Sequence, residues 1–257
     1  MQGSRYCRED CLERAVTEAL RRIRSPLRRA TAPHRIPLGL LLLSRQQLTV
    51  DQLRAALATQ HAAGRGKIGE WLLSLGFVSE QQVTAALARQ WSCPVLRPSS
   101  FNGSPLLTAS RRAPQIPIAL LRAFVMLPVD FVESTETLHI AFGEGIDYSV
   151  LYAIEQMVGC HTEVCMASPS LVRQELQAIS AHRGEHEVVF DRVSDGDEFS
   201  RIIRSYCIRL SATEVRLAGC GPHVWVRLLR ASRPPLDLLL RSSDRSSAEL
   251  RPDLSPD

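Results

Sequence analysis

The sequence predicts an α+β chain, in which a tandem helical-hairpin repeat packs with a small α/β domain and a second small α/β domain follows. Three observations carry this expectation. Residues 37–60 and 67–90 align on one another without gaps at an offset of 30 residues. Short apolar strands and helix signals alternate over residues 115–182 and again over 199–241. Hydrophobic residues make up 45% of the 257, enough for real cores in two or three small domains.

The repeat is the strongest signal. Its first copy reads PLGLLLLSRQQLTVDQLRAALATQ and its second KIGEWLLSLGFVSEQQVTAALARQ. Gly39/Gly69, Gln52/Gln82, Ala56/Ala86 and Gln60/Gln90 match in frame, beyond what a leucine-rich composition supplies. Each copy reads as two short helices joined by a turn. Gly76 stands where a C-terminal glycine ends a helix. Thr49 to Gln52 and Ser79 to Gln82 have the form of capping boxes. Leu53, Ala56 and Leu57, with Val83, Ala86 and Leu87, then recur at helical spacing. On pattern alone these leucines are core residues of a small helical repeat.

The two copies resemble the tandem motif of the N-terminal domain of type II secretion and type IV pilus assembly ATPases, the GspE/MshE N-terminal family. Copy two keeps Ile68, Gly69, Leu72, Leu73, Gly76, Phe77, Val78, Val83, Leu87 and Gln90, with Lys67 in place of the leading Arg. Copy one keeps Leu38, Gly39, Leu42, Leu43, Leu48, Leu53, Leu57 and Gln60. It departs in placing Pro37 at the Arg position, with Arg35 two residues before it, and Gln46 at the glycine position. The resemblance covers about residues 35–181. In the members that bind cyclic di-GMP, the paired motifs form the nucleotide site. What it implies here is that the backbone at Gly39 and Gly69 admits a guanine, while Gln60 and Gln90 hydrogen-bond the nucleotide. Leu38, Leu42, Leu43, Leu57, Ile68, Leu72, Leu73 and Leu87 pack on its purines, and Arg35, Arg65 or Lys67 meets phosphate.

The remaining elements follow in chain order. Residues 6–24 carry an apolar stripe of Leu12, Ala15, Val16, Ala19, Leu20 and Ile23, with acids early and arginines late, as a helix dipole favours. Pro26 stops that helix, and the basic stretch up to residue 34 reads as a linker. Residues 94–114, rich in Pro, Ser and Arg, read as a crossover loop. A short helix over 118–123, strands over 125–131 and 137–141, a helix capped by Asp147 and ended by Gly159, a strand over 161–166 and a helix capped by Ser168 complete a domain of residues 35–182. Ala141 to Asp147 stands where the family carries A-x-x-D-P-x-D, with Glu144 for the first Asp and Gly145 for the Pro. Residues 183–198, polar and acidic, read as a linker. A helix over 199–210 and strands over 214–218, 223–229 and 236–240 make a small α/β domain (199–241), loosely similar to the one that precedes the motor in secretion ATPases. Residues 242–257, rich in Ser, Asp and Pro, are expected to be disordered.

Composition and missing motifs narrow the function. The net charge is +4, and Lys67 is the sole lysine. No apolar run reaches the roughly 18 residues of a membrane helix, and no signal-peptide core is visible at the N-terminus. The chain is therefore expected to be cytoplasmic, with any association at the inner membrane made through a partner. The seven cysteines, irregularly spaced, read as free thiols rather than a zinc site. No G-x-x-x-x-G-K-[ST] occurs. In Gly64-Arg65-Gly66-Lys67-Ile68-Gly69, Ile68 stands where a hydroxyl must hold magnesium. The expectation is a non-enzyme. No esterase elbow and no metal-ligand pairing of histidines is present, and Arg54 and Arg89 are too few cations for a DNA-reading helix. Three readings remain: an adaptor that docks on a motor ATPase or inner-membrane platform protein without a certain cofactor, the same module as a cyclic di-GMP receptor, and, disfavoured by those few cations, a basic helix-turn-helix DNA binder.

Overall fold

The computed structural model describes residue 18 and residues 35–96, 116–180 and 186–243. The helix expected over 6–24, apart from residue 18, most of the crossover loop and nearly all of the C-terminal tail lie outside the described residues. The chain divides into two compact units, Arg28–Gly184 and a second unit made of Met1–Leu27 with Glu185–Asp257. The architecture is mixed α+β, as expected.

In the first unit, four helices come from the repeated segment: α1 (Leu38–Ser44), α2 (Val50–Ala63), α3 (Ile68–Ser74) and α4 (Glu80–Gln90). The caps are local chemistry. The Thr49 hydroxyl accepts from the Gln52 N–H at 3.2 Å while the Gln52 side chain accepts from the Thr49 N–H at 2.9 Å. Ser79 and Gln82 repeat this at 3.3 and 2.7 Å. Both first helices end in the same motif, closed by the Gln47 and Phe77 N–H groups on Leu42 and Leu72 carbonyls at 3.0 Å. The motif needs a left-handed residue. Gly76 supplies it at φ 68°, and Gln46 adopts it at φ 56° despite its Cβ. The glycine-position departure thus changes a residue without changing the turn.

Packing runs between the copies. Helix α1 lies on α4, and α2 on α3. Leu42, Ala56, Leu72 and Ala86 are fully buried at the centre, with Leu38, Leu48, Val78 and Val83 around them.

A three-stranded sheet follows, in the order β1 (Met126–Val132), β2 (Thr137–Phe142), β3 (His161–Met166). Strands β1 and β2 are antiparallel and β2 and β3 parallel. The parallel step requires a crossover, and α6 (Tyr148–Val158) provides it. Helix α5 (Ile118–Ala123) precedes β1, and α7 (Pro169–Ser180) follows β3. The repeat is fastened to this layer by Glu80, whose carboxylate accepts from the Ser170 N–H at 2.8 Å and its hydroxyl at 2.5 Å, at the start of α7. Part of the expected crossover loop is more regular than a loop: Val95 bridges Met166 in parallel, extending the edge of β3.

The second unit corrects the sequence reading. Residues 183–198 were expected to be a linker, yet β4 (Glu187–Val193) lies there, and α8 (Gly196–Leu210) begins inside it. Two physical reasons explain the difference. Among the described residues strand β4 lies at the sheet edge and pairs with β7 (Arg233–Ser242), in parallel, so several of its side chains are wet and its pattern looks polar. The acidic run is the start of a helix. Asp195 accepts from the Glu198 N–H at 2.7 Å, Glu198 accepts from the Ser194 N–H at 2.6 Å, and Asp197 and Glu198 occupy the first turn, where the helix dipole favours negative charge. The sheet order is β4-β7-β6-β5, with β5 (Glu214–Cys220) and β6 (His223–Arg230). Helix α8 packs Phe199, Ile203 and Cys207 onto Val224, Val226, Leu228, Leu238 and Leu240. The final strand runs to Ser242, so the first residue assigned to the tail belongs to the sheet.

Candidate functional site

The two motif glutamines sit in equivalent places and do equivalent work. The Gln60 side-chain amide donates to the Gly66 carbonyl at 2.8 Å, and that of Gln90 to the Ile36 carbonyl at 2.7 Å. Each glutamine therefore grips the residue just ahead of the other copy's first helix. Gly39 and Gly69 are buried, and a Cβ on either would meet Leu53 at 2.7 Å or Leu38 at 3.1 Å. Their bare backbone lets helices approach one another. Of the apolar site candidates, Leu42 and Leu72 are fully buried and Leu38 nearly so. Leu43, Ile68, Leu73 and Leu87 are half-buried against the same core. Leu57 stands apart, 46% exposed.

The charged candidates also have partners. The Lys67 ammonium lies 2.7 Å from one Glu144 oxygen, and Arg173 lies 3.0 Å from the other. Glu144 is the residue that replaces Asp in the family's loop pattern, and it holds two cations at once. Arg35 is stacked over the Trp91 ring at 3.3 Å, with Tyr148 at 5.8 Å. Trp91 and Tyr148 are themselves tilted neighbours, 6.0 Å between centroids.

Arg35, Gln90, Arg89, Trp91 and Tyr148 share a groove of about 440 Å³, which Ile36, Leu41 and Ser92 complete. Arg35 and Gln90 are thus brought together, whereas Leu57, Gln60 and Lys67 are not on its walls. Arg89, Trp91 and Tyr148 were missed by sequence reasoning. The available signal was the rarity of aromatics, 5% of the chain, with Trp91 directly after a motif glutamine. The groove offers guanidinium groups for an anion and rings for stacking, side by side. The loop behind it is close-fitting, since a Cβ on Gly145 would lie 3.4 Å from Trp91.

No family model and no curated protein matches this chain. Solved structures do. One of MshE with cyclic di-GMP is 28% identical, covers 56% of this chain and 99% of its own, and superposes with a TM-score of 0.46. One of the N-terminal domain of XpsE is 16% identical over 55% of this chain and 91% of its own, with a TM-score of 0.40. A second crystal form of that domain is 20% identical, over 53% and 89%, at 0.33. This chain resembles the N-terminal domain of secretion and pilus assembly ATPases. In that family's motif, the leading position is Pro37 in copy one and Lys67 in copy two, and both open a first helix with extended backbone, ψ 140° and 149°. Proline has no N–H to satisfy there, while the Lys67 N–H is taken up by Glu70 at 3.3 Å.

Other chemistry finds little footing. Among the described residues there is no cluster of His, Cys, Asp and Glu fit for a metal ion. Burial pushes the Cys160, Cys165 and Cys207 thiols up to about 11, the wrong direction for a nucleophile. Among the described residues no helix is long and apolar enough to cross a membrane.

Proposed function

We propose that the chain is a non-catalytic adaptor of a type II secretion or type IV pilus assembly machine, acting by docking on a motor ATPase or inner-membrane platform protein. In this reading the two helical pairs are a tandem repeat, packed on the α/β layer and followed by the second α/β unit. The observation that carries it is the internal use of the motif's polar groups: Gln60, Gln90 and Lys67 are spent on Gly66, Ile36 and Glu144. A repeat so employed is a packing device that presents a shaped surface. The test is binding of the full chain to the purified motor ATPase and platform protein of one machine, by interferometry. Saturable binding to either supports the adaptor, and none to both overturns it. ATP turnover at background is expected alongside.

A cyclic di-GMP receptor is the second reading, and the groove favours it. Arg35 and Arg89 suit phosphate, and Trp91 and Tyr148 offer faces on which a purine can stack. Binding would draw Arg35 off the Trp91 ring, so titration should change tryptophan emission. An unchanged spectrum together with no calorimetric heat removes this reading and leaves the adaptor standing.

A further inference from the structure

The groove at the end of α4 is one-sided, although the repeat that builds it is two-fold. Arg35, Ile36, Leu41, Arg89 and Trp91 line it. At the 30-residue offset their counterparts are Arg65, Gly66, Trp71, Thr59 and His61. The backbone frame is shared by both halves, since Gln90 donates to the Ile36 carbonyl as Gln60 does to that of Gly66. The side chains break the symmetry. In the second half the Trp71 indole N–H turns back onto the Arg65 carbonyl at 3.0 Å, so close to Gly66 that a Cβ there would meet it at 2.9 Å. That half already holds a ring of its own, whereas the smaller Leu41 leaves the first half open. His61 and Thr59 supply neither the broad face of Trp91 nor the cation of Arg89.

Three features of the open half call for a ligand. The Arg35 guanidinium lies 3.3 Å from the centre of the Trp91 ring, so that face takes a flat group in contact. Among the described residues neither Arg35 nor Arg89 has a carboxylate partner. The Trp91 indole N–H is buried with no hydrogen-bond partner among the described residues, a costly state for a donor. We propose that the groove binds a purine nucleoside monophosphate, one per chain. The purine takes the place of Arg35 on Trp91 and reaches Tyr148, whose ring centre is 6.0 Å away, a span for two fused rings rather than one. Arg35, displaced, joins Arg89 on the phosphate, and two guanidinium groups suit its double charge. The volume of about 440 Å³ falls within the range of small-molecule sites. Cyclic di-GMP would use this same groove for one purine, but its identical second half needs a second open face, and there Trp71 stands.

The test is titration calorimetry of the full chain with GMP and AMP, with guanosine, ribose 5-phosphate and cyclic di-GMP as comparisons. A mononucleotide should bind at one per chain. Guanosine and ribose 5-phosphate, each lacking one of the two grips, should bind about tenfold more weakly or worse. Trp91→Leu and Arg89→Ala should each weaken the mononucleotide about tenfold, and Arg89, exposed, can be removed without disturbing the core. Neither heat nor a change in tryptophan emission with GMP and AMP at about 1 mM overturns the proposal. Ribose 5-phosphate binding as well as GMP overturns it by reducing the site to a phosphate contact, and affinity unchanged in both variants overturns it by placing the ligand elsewhere. Cyclic di-GMP binding about tenfold more tightly than either mononucleotide also overturns it, in favour of the two-purine receptor. Docking on the motor ATPase is measured separately, so the adaptor reading stands or falls without these titrations.

Discussion

Replacing Gln46 with glycine should stabilise the first unit. The residue sits at φ 56°, in the conformation that Gly76 fills at φ 68° in the second copy. A side chain in that region costs about 1–2 kcal/mol. Against this, glycine gives the unfolded chain more freedom, worth about 0.5–1 kcal/mol. The Gln46 side chain is exposed, so its removal uncovers no core. The net gain is about 0.5–1 kcal/mol, which for a unit of this size corresponds to a rise of roughly 1–4 °C in midpoint. Urea unfolding should show a higher midpoint at an unchanged slope, since the surface exposed on unfolding stays the same. The converse substitution, Gly76→Gln, should lower the midpoint by a similar amount. The two should cancel when combined, because the turns share no side-chain contact. A Gln46→Gly protein that is less stable at the same slope, or a neutral Gly76→Gln, would refute the reasoning.

Glu80→Ala removes the carboxylate on the first turn of α7 and should cost about 1–2 kcal/mol, read from urea midpoints; an unchanged midpoint would show the contact to be idle. Asp237→Leu removes the buried carboxylate that holds Arg227 and the Trp225 indole and should cost about 3–5 kcal/mol, much of it recovered by pairing the change with Arg227→Met. The Cys160, Cys165 and Cys207 thiols, raised from 9.0 to about 11 by burial, favour the folded state fully below pH 9, and this contribution is lost as pH rises through 11. Stability should fall over that window, less steeply in Cys207→Ala. Calorimetry with cyclic di-GMP should give weak binding or none in the wild type, about 10- to 1,000-fold below a member with both leading arginines. Pro37→Arg with Lys67→Arg should strengthen it.

Local chemistry was legible in the sequence and distant chemistry was not. Thr49, Ser79, Asp147 and Gly159 announce helix ends because their partners lie within a few residues, and the caps form there. Strand β4 was hidden because, among the described residues, it pairs with β7, some 45 residues further on, and nothing within Glu187–Val193 states which face is covered. The groove was hidden for the same reason. Its rings and guanidinium groups come from before α1, the end of α4 and the start of α6. Periodicity marked Gln60 and Gln90 as recurring, but their acceptors are backbone carbonyls, which no side-chain pattern reveals.

The exchange of helices between the copies has a consequence for how this segment can change over time. Because α1 rests on α4 and α2 on α3, neither copy owns a complete interior. Losing one copy would not leave an intact hairpin behind; it would strip the remaining helices of their main partners. The segment behaves as a dimer whose subunits happen to be joined by six residues, His61 to Gly66. Dimers of identical subunits must mutate both halves at once, whereas this one can alter a single half. Gln46 is such a one-sided change, set opposite Gly76, whereas at the leading position the two copies differ from one another, as Pro37 and Lys67. Two separately made fragments, 35–63 and 64–96, would be expected to find each other when mixed with residues 116–180, as halves of one object.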